Sequence, residues 1–565
     1  MADNAQSVFA FNTLPAELRL LLRCARWPLA EEDNAAIRTL AAADDMGWKY
    51  FLALCGHHRV APVVYRALST SAAPAPPATL ATLKAAATQN ALSAFRYLAQ
   101  ARRLCGLLQK AGVSTRVLKG VPLSQRIYAD PGLRDVGDID LLIEPGMEEI
   151  ADRVLLAADF HRNDPIARLT PRRRRSWRKH GKDYTYRGDD EDDFEIDLHW
   201  RLFRNPHMPG NALADPAATS GEQIHLGETV LNVLPLERTF LYLCVHGALD
   251  GWGRFKSLVD VAVLWNSFRA EQRSAVTDQA VAHRILPELA AALRLARELE
   301  LLAPDALSSA IELESDSREA QWILNHARTQ QLAQRFQPTQ DGTGSWPLKR
   351  YELGLRRGLA YRVEILRRVL LRPRVWQRFD LPDALFPLYT VLSPMEWVFF
   401  HRWVSPAGVA RARRSRWNRW RVLSAAKKGL LLEAFATLLM ARCSLVLLPV
   451  RRIFRWMESP VGRPARSVPT DAAQSDAIER IRWAVLTVAR YGPLSFVCFP
   501  QALAAHAMLR RRGISSIMHY GVRRSADRRM RAHTWLEVDH RMLLGGESAV
   551  LFEPIHSTGA GSEHS

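Results

Sequence analysis

Two carboxylates stand two residues apart in an otherwise apolar run, Asp138–Ile139–Asp140–Leu141–Leu142–Ile143. Apart from the two acids the run is all Ile and Leu, and it reads as a buried strand. Side-chain direction repeats every second residue along a strand, so both carboxylates project from one face. Like charges held that close are costly unless a cation neutralises them, which points to Mg²⁺ (or Mn²⁺). A third carboxylate is expected from a neighbouring strand. Phe194–Glu195–Ile196–Asp197–Leu198–His199–Trp200 supplies it in Asp197, set between apolar residues.

The chain leading into this pattern is consistent with it. Arg116–Val117–Leu118 reads as a strand ending in Lys119–Gly120, followed by a helix from Pro122 to about Tyr128 and a turn at Asp130–Pro131–Gly132. Lys119, the Gly120 backbone and Arg134 are candidates for phosphate binding. An acid-x-acid pair alone recurs by chance; joined to Lys119–Gly120, Arg134 and the Asp197 strand it is far more specific. The set resembles the uncharacterised nucleotidyltransferase family of the polymerase-beta-like superfamily. The resemblance runs through LKGVPLSQRIYADPGLRDVGDIDLLI, EIDLHWRL and LYLCVHGALDGWGRFKSLVDVAVL, and covers roughly residues 10 to 370. The usual Gly–Ser after the first strand is here Lys119–Gly120.

That resemblance implies metal held by Asp138, Asp140 and Asp197, with a nucleoside triphosphate such as ATP as substrate. An activated hydroxyl would attack its α-phosphate, two metals about 4 Å apart stabilising the attacking and leaving oxygens. Asp197 is also the candidate general base. His246 and Asp260 on the downstream helix are open between substrate contact, core packing and a surface ion pair.

A second pattern lies near the end of the chain. Cys498 opens a helix with Pro500 in its first turn and Gly513 as the stop signal; a strand (Ile514 to Val522) and a second strand carrying His533 follow. A thiol at a helix N-terminus near an imidazole gains thiolate character, the layout of a nucleophile. The Cys498 helix with its Leu509–Gly513 exit, Tyr520–Gly521–Val522 and Ala532–His533–Thr534–Trp535–Leu536–Glu537 resemble the leader peptidases of lasso-peptide biosynthesis. These are transglutaminase-like cysteine proteases. The family's third residue, an Asp, matches a position close to Gly545. Glu547 is the nearer acid if Asp539–His540 turn a hairpin, and the third member stays open among Glu547, Asp539 and none. The resemblance implies a precursor peptide, a small leader-recognition protein and a ring-closing cyclase as partners.

The fold class expected is α+β and multidomain: a mixed nucleotidyltransferase sheet with surrounding helices, a helical middle region, and a C-terminal transglutaminase-like (papain-like) α+β domain. The boundaries read as 1–112 helical, 113–270 catalytic core, 271–370 helical, 371–425 a basic Arg/Trp-rich junction, 426–470 the helical start of the peptidase, and 471–565 its core. Hydrophobic content of 48% over 565 residues excludes a disordered chain. The formal charge of +19 predicts anionic partners without choosing among them.

The six cysteines have no metal-ligand spacing, which suits a reducing cytoplasm. The first residues do not read as a secretory signal. Glu433 and Arg442 interrupt the apolar stretch Leu430 to Val450, so a packing helix is expected there and not a membrane span. His57 and His58 read as surface histidines. Arg172 to Lys179 reads either as a solvated face or as a grip for a triphosphate, RNA or an acidic peptide. Two further readings stay beside the two-enzyme one: a peptide-binding module that does not cut, and an RNA-modifying nucleotidyltransferase, although nucleic acid is not the expected partner.

Overall fold

The protein is described from a computed structural model, over residues 11–164, 169–188, 194–215, 221–333, 346–371, 373–393, 424–447, 471–491, 498–524, 530–539, 541–545 and 553–558. It divides into two compact units, Met1–Tyr389 and Thr390–Ser565. The fold is mixed α/β and mostly helical, with a mixed sheet in the first unit and a smaller four-stranded sheet in the second.

The first unit opens with short helices and then one long helix, Pro77–Lys110. A seven-stranded sheet follows: β1 (Thr115–Val117), β2 (Ile139–Ile143), β3 (Phe160–Asp164), β4 (Asp183–Gly188), β5 (Glu195–His199), β6 (Glu222–Leu226) and β7 (Thr229–Val233). Its spatial order is β3-β4-β5-β2-β1-β7-β6. β2 lies between β1, antiparallel to it, and β5, parallel to it. The register sets Asp140 beside Asp197 and Leu142 beside His199. β4 runs antiparallel to β5, with Asp183 opposite His199 and Thr185 opposite Asp197.

Because paired residues on adjacent strands point the same way, Asp140, Asp197, His199, Asp183 and Thr185 share one face. The residues between them, Ile139, Leu141, Ile143, Ile196, Leu198, Tyr184 and Tyr186, are buried on the other. Along β4, β5 and β2 one face is thus apolar, and the other carries the polar groups with Leu142 of the main apolar cluster beside them. The helices Leu236–Leu249, Phe255–Ser267 and Leu286–Glu298 build the main apolar cluster with the N-terminal helices.

The basic run of residues 172–179 falls on the helix Pro171–His180, and it is neither wholly solvated nor an open grip. Arg173 is 1% exposed. Its guanidinium donates to the Leu381 carbonyl and the Tyr389 hydroxyl, both at 2.7 Å, and pairs with Asp380 at 2.8 Å. Asp383 accepts from the Arg172 amide at 3.1 Å and from the Thr170 hydroxyl, so it sits on the helix N-terminus. The run therefore clamps the last segment of the first unit.

His58 also departs from expectation. It is 3% exposed, and its Nδ1 accepts from the Phe255 amide at 3.3 Å.

In the second unit the helices Ala425–Leu447, Asp471–Tyr491 and Cys498–Arg510 pack on one another, and the last of them packs against one sheet. Its strands are β8 (Ile517–Arg524), β9 (Met530–Val538), β10 (Arg541–Leu544) and β11 (Glu553–Thr558), in the order β10-β9-β8-β11. Glu433, which breaks the apolar run of the first of these helices, pairs with Arg512 at 2.7 Å. Among the described residues no helix is long and apolar enough to cross a membrane. Residues 394–423, most of the Arg/Trp-rich junction, lie outside the described residues.

Candidate functional sites

In the first unit, ligand atoms of Asp140, Asp197 and His199 all lie within 4.8 Å of one another. Asp140 is 3% exposed and His199 fully buried. Asp140 Oδ1 faces His199 Nε2 at 3.0 Å. Asp140 Oδ2 is buried without a hydrogen bond; Lys119 Nζ stands 3.5 Å from it. Burial favours the neutral form of Asp140, but the Lys119 ammonium and the His199 hydrogen bond prevail and hold its carboxyl well below the usual range.

Asp197 behaves oppositely. Burial, with Asp183 and Asp140 nearby, pushes its carboxyl up to about 6, against the pull of His199 and of the Thr185 hydroxyl, which donates to Asp197 Oδ1 at 2.7 Å. Asp183 is held at about 2: burial opposes its charge, and Lys182, His199 and Arg204 overcome it.

Lys119 follows β1, before the helix Val121–Tyr128. Gly120 starts that helix at φ +71, ψ −135, a conformation side-chain-bearing residues avoid. Burial works against the Lys119 charge, yet Asp140, Tyr242 and Asp138 raise its affinity for a proton above the ordinary lysine value. Its Nζ lies 3.3 Å from His246 Nε2. An ammonium only donates, so Nε2 accepts and the His246 proton sits on Nδ1, 3.2 Å from Asp250 Oδ2. Burial, and then the Lys119 charge, lower His246 to about 4, so it is neutral near pH 7.

The sequence candidates are sorted by this geometry. Asp140, Asp197 and Lys119 converge, and His199 joins them. Asp138, half-buried just before β2, stays outside the trio of ligand atoms. Arg134 is turned inward at 6% exposure, donating from Nε to Asp260 Oδ2 at 2.9 Å. Arg134 and Asp260 thus brace each other inside the fold; neither offers a charge to a ligand. Two carboxylate oxygens and an imidazole nitrogen within 4.8 Å of one another, with one oxygen of Asp140 lacking a hydrogen bond, suit a divalent ion.

In the second unit Cys498 is half-buried at the first position of the helix Cys498–Arg510. The helix packs against β9, the strand carrying His533. His533 Nε2 lies 2.9 Å from the carbonyl oxygen of Gly545. A carbonyl only accepts, so the ring proton is on Nε2 and the lone pair on Nδ1. Leu536, Val538, Met518 and Tyr520 share the apolar core with this helix. The alternate residues His533 and Trp535, together with His519, stack along the other side, at 6.0 and 5.6 Å between ring centroids. Among the described residues no hydrogen bond joins Cys498 to His533.

The β9–β10 hairpin pairs Val538 with Arg541 and leaves Asp539 in the connection at φ +47. Glu547 lies outside the described residues.

Residues 44–300 match the model of a family described as an uncharacterised nucleotidyltransferase, and residues 444–557 that of the transglutaminase-like superfamily. Among solved structures, an antigenic nucleotidyltransferase-like protein from Paracoccidioides brasiliensis is similar at 12% identity, over 38% of this chain and 95% of its own, with a TM-score of 0.23. Among curated proteins the chain has no match. The chain carries a domain of the uncharacterised nucleotidyltransferase family and, after it, a transglutaminase-like domain.

Proposed function

We propose that the first unit catalyses metal-dependent nucleotidyl transfer from a nucleoside triphosphate to a hydroxyl acceptor. The observation that carries this is the convergence of ligand atoms of Asp140, Asp197 and His199 within 4.8 Å of one another, with Asp140 Oδ2 buried without a hydrogen bond near the Lys119 ammonium. A divalent ion bound there supplies Lewis-acid polarisation of the phosphate.

The chain's own groups do the rest. Lys119 and the amides at the start of the helix Val121–Tyr128 take the phosphate oxygens. Asp197, its carboxyl raised to about 6, takes the acceptor's hydroxyl proton. The acceptor oxygen bonds to the α-phosphorus, and the bond to the β-phosphate oxygen breaks with release of pyrophosphate. Asp138, on the approach to β2, adds negative charge that helps hold Lys119 protonated. Pyrophosphate release from ATP by purified protein tests the reading. It should disappear in Asp140→Asn and Asp197→Asn, and its persistence in both would sink it.

A second reading belongs to the transglutaminase-like domain: a cysteine peptidase that removes the leader of a lasso-type precursor peptide in the cytoplasm. It would act with a small leader-recognition protein and ahead of a ring-closing cyclase. It takes Cys498 as nucleophile and His533 as base, with the Gly545 carbonyl fixing the ring proton on Nε2. A leader-sized mass loss from the precursor, abolished in Cys498→Ala, supports cleavage. Leader binding with an intact peptide would instead leave a non-cutting recognition module.

A further inference from the structure

We propose that His199 is itself a metal ligand, oriented from behind by Asp183, and that the site therefore selects a first-row transition ion over Mg²⁺. This rests on the metal-dependent reading of the first unit and names the ion class that reading leaves open.

The donor set is the first ground. The ligand atoms that converge are two carboxylate oxygens and one imidazole nitrogen, with Asp138 outside the group. Mg²⁺ favours oxygen donors and keeps much of its water, whereas imidazole is a donor for softer transition ions.

The second ground is the burial of His199, 0% exposed, so both ring nitrogens must be satisfied within the protein. Nε2 points at Asp140 Oδ1 at 3.0 Å. On the other side of the ring, Lys182 Nζ lies 3.5 Å and Asp183 Oδ2 3.8 Å from Nδ1, and the two pair with each other at 2.8 Å. As the groups stand, Lys182 donates to Nδ1 and the ring proton is on Nε2; with Nε2 given to an ion the proton moves to Nδ1, and the Asp183 carboxylate closes from 3.8 Å to accept it. A carboxylate behind a ligating imidazole is the usual means of fixing its tautomer and direction. The strand register provides this: Asp183 is the cross-strand partner of His199.

The third ground is Asp140 Oδ2, buried and without a hydrogen bond, on the same residue that His199 contacts through Oδ1. The carboxylate that lies against His199 Nε2 thus has a second oxygen without a hydrogen bond to offer to an ion.

The test uses metal-stripped full-length protein titrated with Mn²⁺ and Mg²⁺, with pulsed electron paramagnetic resonance on the Mn²⁺ form. The expected result is Mn²⁺ bound at least tenfold more tightly than Mg²⁺, with nitrogen hyperfine coupling from an imidazole. His199→Gln should abolish the coupling and bring the two affinities together. Asp183→Asn should keep the coupling but weaken Mn²⁺ binding about tenfold to a hundredfold.

Mn²⁺ bound without nitrogen coupling overturns the proposal and leaves metal dependence standing. That result comes from the wild-type protein alone, should His199→Gln not fold. Equal absence of Mn²⁺ binding in wild type and Asp140→Asn overturns both the proposal and the metal-dependent reading.

Discussion

Asp140 and Asp197 stand directly beside each other on parallel strands, yet their carboxyls are driven in opposite directions. The difference is the cation. Asp140 has Lys119 and His199 at its two oxygens, whereas Asp197 has only the Thr185 hydroxyl and the more distant pull of His199.

Lys119→Met should therefore leave a buried, uncompensated carboxylate. The expected loss is roughly 3–5 kcal/mol in metal-free protein. Added divalent ion should recover more stability in the variant than in wild type. Thermal unfolding with and without chelator measures both; equal metal-induced shifts would show that Lys119 does not balance the site.

His58 should make the first unit acid-sensitive. Burial, followed by the charges of His57 and Arg254, lowers it to about 3. Between about pH 6.5 and 3 the unfolded chain binds the proton and the folded one does not, so stability falls as pH falls through that window. The full span is on the order of 4–5 kcal/mol. His58→Gln should flatten the melting temperature of the first unit across this range, and an unchanged slope would assign the acid sensitivity elsewhere.

Arg173→Ala should release the end of the first unit. It removes a buried guanidinium from the Leu381 carbonyl, the Tyr389 hydroxyl and Asp380. A cost of about 3 kcal/mol is expected. Limited proteolysis should cut between residues 379 and 393 in the variant before any other new site appears. Resistance equal to wild type would show that the segment is held by its aromatic packing instead.

Gly545→Ala should disturb His533. Gly545 has φ +75, and a Cβ there would meet the Thr534 carbonyl oxygen at 2.8 Å and His533 Nε2 at 3.3 Å. Backbone strain of roughly 1–3 kcal/mol is expected. If the domain cleaves peptides, turnover should fall at least tenfold while Cys498 stays open to alkylation. Full activity would mean that the Gly545 carbonyl does not orient the base.

How far the site was legible follows from the range of the signals. Asp140 and Asp197 could be read because each sits alone among apolar residues on a strand, a pattern that survives without tertiary information. His199 carried a similar signal, two residues after Asp197 and so on the same face, but an imidazole next to Trp200 passes for strand filler. Asp183 was out of reach, since its role exists only through the β4–β5 register.

Arg134 was read as a phosphate ligand, and Asp260 was left open between substrate contact, core packing and a surface ion pair, because the chain does not reveal that they face each other across 126 positions. The buried members of the basic run and of the His57–His58 pair were misread for a related reason: burial there comes from distant segments, Tyr389 and Phe255. The position of Gly545 beside His533 was legible from the family's match, but that its backbone carbonyl would meet the ring was not, since the residue has no side chain to signal it.

The side-by-side pairing of β2 and β5 also bears on how such a protein can change over generations. The spacing of Asp140 and Asp197 is held by backbone hydrogen bonds between two short strands, independently of the long excursion that joins them. Within that excursion, from Glu144 to Phe194, Asp183 and Thr185 on β4 belong to the site and Arg173 to the clamp, so the room for mutation, insertion and selection for a different acceptor lies in the rest of it, while the inherited chemistry stays in register.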